Sequence, residues 1–169
     1  MKIAIRIALA AVVALAAFWL WGVLFPNPEH VIRKRLTEAA QAASFAPGAG
    51  YISKLAGAQR FADFFATNAE ASIDAGGQEQ HHLSGREEIF QTALNARVAM
   101  NNLTVSFPEV SIAIGPDKES ATADLTAEAK TSGASDMFIE EMKFTFRKFG
   151  RDWLITRVET VQTLQRGGQ

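Results

Sequence analysis

Three polar side chains could form a reaction site in this chain: His82, Glu140 and Arg157. A histidine can act as a general base at neutral pH, and so can a carboxyl group whose pKa burial has raised. Arg157 would supply a further polar group beside either of them. These are the candidate pocket residues, and the rest of the chain must position them.

The adjacent pair His81–His82 is the first of these candidates. Neighbouring residues of a strand point to opposite faces, so the two imidazoles could hold one metal ion together only at a bulge. One of them could act as a base in a pocket, and the alternative is a polar residue on an edge strand. No Ser-His-Asp pattern, phosphate-binding loop or carboxylate cluster accompanies them. We assign no catalytic residue, no cofactor and no metal.

Glu140 is the second candidate, because it shares the alternating register of the apolar residues Met142 and Phe144. A carboxyl group on that face would be a buried acid. However, Ile139 occupies the other phase, and a bulge at Glu140–Glu141 would place the side chain in water. The sequence leaves both positions open.

Charge and composition exclude several classes of function. Outside the first 26 positions the chain has 15 basic and 18 acidic residues. Binding to a phosphate backbone requires clustered positive charge, so this balance argues against a nucleic-acid partner. The one dense basic run, Arg33–Arg35, suits a solvated helix face or a contact with lipid headgroups. The absence of cysteine excludes disulfides, thiolate metal sites and a cysteine nucleophile.

The amino-terminal segment predicts a membrane anchor. Ile7 to Phe25 is an uncharged apolar run of 19 residues. As a helix it would span about 28 Å, close to the roughly 30 Å hydrocarbon core of a bilayer. The alternative is a cleaved signal peptide, which would need a shorter apolar core followed by small residues. Lys2 and Arg6 favour a cytoplasmic amino terminus, whereas Arg33–Arg35 opposes it. We expect a single-pass protein of the cell (inner) membrane with an extracytoplasmic, periplasmic domain.

Three helices are predicted between residues 27 and 101. Asn27 and Pro28 favour a helix start, and the apolar spacing continues that helix to about residue 45. A second helix is expected from about residue 52 to about residue 66, before a short hairpin turned by Gly76–Gly77. Ser84 and Glu87 have the spacing of a capping box, which predicts a third helix to about residue 100.

Four long strands are predicted between residues 102 and 166. The apolar alternation slips by one residue after Pro108, which predicts a bulge and a sharp bend. The next strand has alanines on its core face, which leave space for larger residues opposite or for a ligand. These are Ala121, Ala123, Ala127 and Ala129. Helices on one face of a bent antiparallel sheet make an α+β domain. The predicted organisation is an anchor at 1–26, one domain at 27–166 and a flexible tail at 167–169.

Three motifs resemble the nuclear transport factor 2-like superfamily, and within it the SnoaL-like group. They are Phe64–Ala69 between the second helix and the first strand, His82–Ile89 at the entrance of the third helix, and Phe144–Ile155 in the last hairpin. The resemblance covers about residues 28–164. It implies a cystatin-like cone, in which a curved sheet wraps around three helices and encloses a pocket. Proteins of this fold have unrelated functions, so the resemblance alone implies no activity.

The residues that one known activity of the fold requires can be sought in this sequence. Enzymes resembling ketosteroid isomerase need a carboxylate base in the pocket and an acid and a tyrosine as oxyanion donors. The resemblance would place the base near Ile73, but Asp74 lies one position off, where the hairpin turn begins. The only tyrosine, Tyr51, stands at the entrance of the second helix. The strand that would supply the acid has none there, so we do not expect this isomerase chemistry.

Two interpretations of the function remain. The first is a non-catalytic scaffold or binding module of the cell envelope, which binds a partner protein or a small apolar ligand. The second is a membrane-tethered enzyme or carrier, isomerase-like or dehydratase-like, that uses Glu140, His82 or Arg157 on a small apolar substrate.

The geometry of the pocket would separate these interpretations. A cavity of about a few hundred Å³ with two converging titratable side chains would favour the enzyme. A pocket filled by phenylalanines would favour the binding module, and we expect it to be mostly filled. The phenylalanines are Phe61, Phe65, Phe90, Phe138 and Phe144. We also expect a homodimer, because the open sheet face offers Phe, Arg and Glu side chains that could pair across a two-fold axis.

Overall fold

The structure of this protein, a computed structural model, describes residues 27–73, 81–131 and 137–161, together with Val12 and Leu15. The predicted anchor ends, Ile7 and Phe25, lie outside the described residues. So do Asp74, the hairpin turn at Gly76–Gly77 and the tail at 167–169. None of the helices in the described part of the chain has both the length and the apolar character needed to cross a bilayer.

The described residues form three helices and one sheet of six strands. In chain order these are α1 (Pro28–Ala43), α2 (Tyr51–Ala62), β1 (Phe65–Ile73), β2 (His81–Ser84), α3 (Arg86–Ala99), β3 (Thr104–Ile114), β4 (Ser120–Lys130), β5 (Phe138–Phe149) and β6 (Asp152–Thr160). The strands are arranged in the order β2-β1-β6-β5-β4-β3. The predicted α+β class, with helices packed against a curved sheet, is confirmed.

Helix α1 begins where the sequence predicts. The Asn27 side chain accepts a hydrogen bond from the Glu29 amide at 3.0 Å, and Pro28 occupies the first helical turn, where its missing N–H costs nothing. Ile32 and Leu36 are buried on the sheet side. Arg33 of the basic run donates to the carbonyl of Val110 in β3 at 3.2 Å. That arginine therefore ties α1 to β3 as well as facing solvent.

Helix α2 ends at Ala62, four residues before the predicted end. The chain leaves the helix because Phe64 and Phe65 join the sheet. The Phe64 carbonyl accepts a hydrogen bond from the Ile155 amide at 2.9 Å, and Phe65 pairs with Ile155 in β6. The β1–β6 pairing is parallel, whereas every other strand pair in the described sheet is antiparallel. Pairing with a strand about ninety residues away outweighs the local helical pattern.

The predicted capping box at the start of α3 is not formed. Ser84 stays in β2, and Gly85, with φ +88°, is the residue that precedes the helix. The Gly85 amide donates to the Ala69 carbonyl at 2.7 Å, which holds this corner against β1. The helix therefore begins one residue later, and Glu88 rather than Glu87 accepts from the Ser84 amide, at 2.7 Å.

The four long strands are antiparallel, as predicted, and bulges bend them. The register between β3 and β4 shifts between Ser106 and Glu109, which confirms the bulge at Pro108. A second shift inserts Thr156 in β6 opposite Thr145 and Phe146 of β5. Bulges of this kind increase local twist, and they curve the sheet around the helices.

The core lies between the helices and the concave face of the sheet. On β4, Ala121 and Ala123 pair with Phe146 and Phe144 of β5, so large side chains fill the space beside two of the alanines. The two phenyl rings stack with their centroids 6.5 Å apart. Further along β4 the pattern differs, because Ala127 lines a cavity instead.

Candidate functional site

An apolar cavity of about 280 Å³ lies inside the cone. All three helices and all six strands of the described sheet contribute to its wall. Five phenylalanines form much of the wall: Phe45, Phe61, Phe65, Phe107 and Phe144. Small side chains leave the space open. These are Ala39 and Ala43 of α1, Ala93 and Ala96 of α3, Ala71 of β1 and Ala127 of β4.

The expectation that phenylalanines fill the pocket is corrected by this cavity. Phe61, Phe65 and Phe144 do line it, but as walls. Phe138 lies at the start of β5 with 45% of its surface exposed. Phe90 is half-buried on α3 and does not line the cavity. With two of the five rings directed elsewhere, a space remains at the centre.

Two of the described lining residues carry polar side chains, Thr92 and Arg97 of α3. Thr92 is exposed as well as lining, so the cavity reaches solvent beside it. Arg97 is only 5% exposed. Its Nη2 donates a hydrogen bond to the carbonyl of Ala42, and its guanidinium lies 4.9 Å from the centre of the Phe45 ring. Burial, and secondarily the charge of Arg60, lower the pKa of Arg97 from its ordinary value.

A glycine in α2 makes room for this guanidinium. A Cβ at Gly57 would lie 2.7 Å from Nη1 of Arg97 and 2.9 Å from its Cζ. Glycine inside a helix costs about 1 kcal/mol relative to alanine. The close approach of Arg97 explains why this position of the helix is a glycine.

Arg97 is not among the candidate residues that the sequence predicts. A signal was present, because Arg97 lies four residues after Ala93 and eight after Ile89, on the apolar face of α3. A charged residue on such a face requires a partner. The partners themselves come from α1 and α2, and no local pattern identifies them.

Glu140 is placed on the concave face of β5, but it does not line the cavity. It pairs with Ala127 in an unbroken β4–β5 register, so it shares a face with Met142 and Phe144. The bulge that would have turned it into water is not formed. Glu140 is half-buried there, two residues after the start of β5.

His82, expected as a pocket candidate, lies outside the cavity. It is exposed in β2, and its Nδ1 is 3.1 Å from the Ser72 hydroxyl, on the face opposite Leu83. His81 shares the Leu83 face but is exposed and does not line the cavity. Strand alternation therefore separates the two histidines, and no group of three metal-ligating side chains occurs among the described residues.

Arg157 also lies outside the cavity, because the bulge at Thr156 and the alternation of β6 direct it to the outer face while Val158 faces inward. Its Nη2 is 2.7 Å from Glu70, its neighbour across the parallel β1–β6 pair, and its Nη1 is 3.3 Å from Glu159. The hydrogen bond and charge of Glu70 raise the pKa of Arg157. The three sequence candidates therefore do not converge.

The residues compared with the isomerase pattern occupy different environments. Ile73 lines the cavity with an apolar side chain at the place where the base would be expected. Tyr51 begins α2 with 65% of its surface exposed, away from the lining residues. The polar chemistry of the cavity therefore comes from Thr92 and Arg97.

Comparison with known proteins identifies the fold. No protein-family model and no curated protein sequence matches this chain. Among solved structures, an NTF2-like protein with a cystatin-like fold from Novosphingobium aromaticivorans is similar with a TM-score of 0.59 and 15% identity, over 90% of this chain and 86% of that one. Yeast UBP3-associated protein BRE5 is similar with a TM-score of 0.61 and 13% identity, over 81% and 97%.

A third similar structure, also from Novosphingobium aromaticivorans, bears the provisional name scytalone dehydratase. Its TM-score is 0.58 and its identity 13%, over 79% of this chain and 84% of that one. Identities this low show a shared fold alone. The domain has the NTF2-like, cystatin-like fold.

Proposed function

We propose that this protein is a non-catalytic binding module that holds a small, mainly apolar molecule in the cavity of its cone. The observation that carries the proposal is the cavity itself, about 280 Å³ and walled almost wholly by apolar side chains. Concave, apolar pockets with a few polar groups are the usual form of small-molecule sites.

The size of the cavity supports a bicyclic or similarly sized ligand. An engineered apolar cavity of about 150 Å³ binds benzene, and this one is nearly twice as large. Unfilled cavity volume costs about 24 cal/mol per Å³. An apolar space of this size left without a ligand is therefore unfavourable for folding. Selection for folding alone would favour larger side chains here, so a binding role accounts for the alanines.

The polar groups of the cavity support binding rather than catalysis. A general base needs a side chain that gains and loses a proton near neutral pH, and a guanidinium does not. The Thr92 hydroxyl would need a neighbouring base to act as a nucleophile. Among the described lining residues, no histidine or carboxylate is available for that purpose.

The proposal is tested by filling the cavity. Ala93→Leu extends a side chain into the space, whereas Ala99→Leu makes the same change at an exposed position of the same helix. We expect the full-length protein to bind a neutral bicyclic probe, 2-naphthamide, by calorimetry, and Ala93→Leu to weaken this binding at least about tenfold. Ala99→Leu should bind as the unmodified protein does. Failure of the unmodified protein to bind the probe would overturn the proposal.

A membrane-tethered enzyme is the second candidate. Glu140 lies on the same face of β5 as the cavity-lining Met142, and one structurally similar protein bears a dehydratase name. Conversion of a cavity-bound substrate that Glu140→Gln abolishes, with binding retained, would favour this candidate over the binding module.

We also propose that residues 7–25 anchor the protein in the cell membrane with its domain extracytoplasmic. The apolar run and its flanking Lys2 and Arg6 support this. The test is a pair of reporters fused after Gln169, one active only in the cytoplasm and one only outside it. Activity of the cytoplasmic reporter alone would overturn the orientation.

We also propose that the protein self-associates through the outer face of the sheet. The charged and apolar side chains that β5 exposes on that face support this. Ile139 is exposed, and Glu141 and Arg147 lie on the same face. Sedimentation of the full-length protein should show a dimer, which Ile139→Glu would dissociate. A monomer at high concentration would contradict this proposal. A co-purifying protein would instead identify an envelope partner.

A further inference from the structure

We propose that the tip of the β5–β6 hairpin docks on the anionic lipid headgroups of the membrane in which residues 7–25 anchor the protein. The hairpin tip is defined as residues 147–152. This inference rests on the proposed anchor and adds a second contact, of an electrostatic kind, with the same membrane. It does not depend on what the cavity binds.

The hairpin tip carries positive charge that the described residues leave unpaired. Arg147, Lys148 and Arg151 are all exposed. Lys148 and Arg151 form no salt bridge with any described residue. The single acidic residue of the tip, Asp152, is already paired with Arg35 of α1 at 3.1 Å. Lysines and arginines close to a bilayer are attracted to anionic headgroups, so the tip suits such a surface.

Phe149 adds an apolar side chain to the same tip. Its side chain is 48% exposed, and it pairs with Asp152 at the last position of the hairpin. Gly150, with φ +62°, turns the chain directly after it. An exposed aromatic ring among basic side chains matches the boundary between headgroups and acyl chains. This combination favours a lipid surface over a purely polar anionic partner.

The hairpin tip lies at the end of the domain where α1 begins. Arg33, early in α1, donates to the carbonyl of Val110, whereas Ser44, after its end, accepts from the amide of Val105. Helix α1 therefore runs antiparallel to β3. Since β4 is antiparallel to both β3 and β5, β5 runs towards the start of α1 and reaches the tip there. The ion pair described above joins the tip to α1 directly.

The proposed anchor brings the membrane to this same end. Only Pro26 separates Phe25, the last residue of the apolar run, from Asn27, the cap of α1. One extended residue spans at most about 3.6 Å. An anchor at 7–25 would therefore place the start of α1 at the membrane surface. Tethering of this kind raises the effective concentration of headgroups at the hairpin tip.

The distribution of charge along the domain also favours this orientation. The β3–β4 turn lies beside the tip, because the Lys148 amide donates to the Glu119 carbonyl at 2.8 Å. Asp117 of that turn already accepts three hydrogen bonds within the turn. The segments at this end contain seven basic and five acidic residues, and the other positions after 26 contain eight and 13: the segments are 27–38, 116–119 and 147–152. The positive end of an acidic domain therefore faces the membrane.

The test measures how close the tip lies to lipid headgroups in the full-length protein, which contains no cysteine. Pro116→Cys places one fluorophore in the exposed turn beside the tip, and Asn101→Cys places one before β3, at the opposite end. Each protein is reconstituted in vesicles that contain a headgroup-spin-labelled lipid, which quenches nearby fluorophores. The vesicles are phosphatidylcholine, alone or mixed about three to one with phosphatidylglycerol.

We expect phosphatidylglycerol to increase the quenching at position 116 at least about twofold and to leave position 101 unchanged. Lys148→Gln combined with Arg151→Gln should abolish the increase. So should about 1 M salt, which shortens the Debye length to about 3 Å. Lys54→Gln combined with Lys130→Gln, which removes two positive charges elsewhere on the domain, is the matched control and should retain the increase.

The docking and the anchor fail in different ways. Equal quenching in the two lipids, or an increase that survives the loss of Lys148 and Arg151, would overturn the docking and leave the anchor intact. Release of the protein from the vesicles by alkaline carbonate would overturn the anchor, and the docking with it.

Discussion

At the scale of single residues, the notable feature is a buried cation that the fold accommodates at a cost. Arg97 requires a glycine in the middle of α2 and a main-chain carbonyl at the end of α1. Ala42 lies in the last turn of α1, where carbonyls lack intrahelical partners and cations are favoured. The guanidinium therefore donates to the end of α1, and the space at Gly57 lets it reach that carbonyl.

The pairing of Gly57 with Arg97 predicts a coupled pair of substitutions. In the unmodified protein, Gly57→Ala gains about 1 kcal/mol of helix propensity but displaces the guanidinium from Ala42, whose charged hydrogen bond contributes about 1.5–3 kcal/mol. We expect a net loss of about 1 kcal/mol in the free energy of unfolding. In an Arg97→Ala background the same change should instead gain about 1 kcal/mol.

Urea denaturation of the four proteins measures this coupling. The same effect of Gly57→Ala in both backgrounds would show that the two residues do not interact. Gly50→Ala is a suitable comparison, because a Cβ at Gly50 meets no atom within 4 Å. Its effect should be independent of Arg97.

At the scale of elements, the turn between β3 and β4 depends on one carboxylate. Asp117 Oδ1 accepts hydrogen bonds from the Ser120 hydroxyl at 2.7 Å, the Ser120 amide at 3.0 Å and the Glu119 amide at 3.1 Å. The bond from the Ser120 hydroxyl, followed by those from the two amides, lowers the pKa of Asp117. The turn is therefore best ordered when this side chain is charged.

This arrangement predicts a pH-dependent contribution to stability. Because the pKa of Asp117 is lower in the folded chain than in the unfolded one, its contribution is complete above the unfolded value and is lost as pH falls through the folded value. Asp117→Asn should destabilise the protein at neutral pH, and the difference should vanish in acid. Urea denaturation at a series of pH values measures it. A difference that is constant with pH would contradict the assignment.

The elements also show what sequence can predict. The start of α1 and the bulge at Pro108 follow from local patterns of capping and alternation, and both are formed. The early end of α2 depends on the parallel pairing of β1 with β6, and no local pattern records that pairing. The environment of Arg97 is not predicted for the same reason. Its contacts come from α1 and α2, which are distant in sequence from α3. His82 and Arg157 were candidates by residue type, and strand alternation directs both outward.

At the scale of the whole molecule, cavity and stability are linked. A ligand that binds only the folded protein at about one hundred times its dissociation constant adds about 2.7 kcal/mol to the free energy of unfolding. We expect 2-naphthamide at such a concentration to raise the thermal midpoint by several degrees. Ala93→Leu should raise the midpoint without ligand and remove most of the shift with ligand, because both fill the same space.

Differential scanning calorimetry of the full-length protein measures these shifts, with Ala99→Leu as the control that should keep the full ligand effect. Additive effects of Ala93→Leu and the ligand would mean that the probe binds somewhere other than this cavity. In that case the cavity would be a feature of packing only.

The position of β6 has a consequence for the order in which the chain assembles. The sixth strand lies in the interior of the sheet, between β1 and β5, although it is the last of the described strands to leave the ribosome. Until it arrives, the β1–β2 hairpin and the β3–β5 meander are separate pieces with unpaired edges, which are prone to wrong pairing. The Phe65–Ile155 contact closes about ninety residues of chain at once. A nascent chain stalled before Trp153 would therefore hold two half-sheets, and a chaperone that shields strand edges would be needed most at that moment.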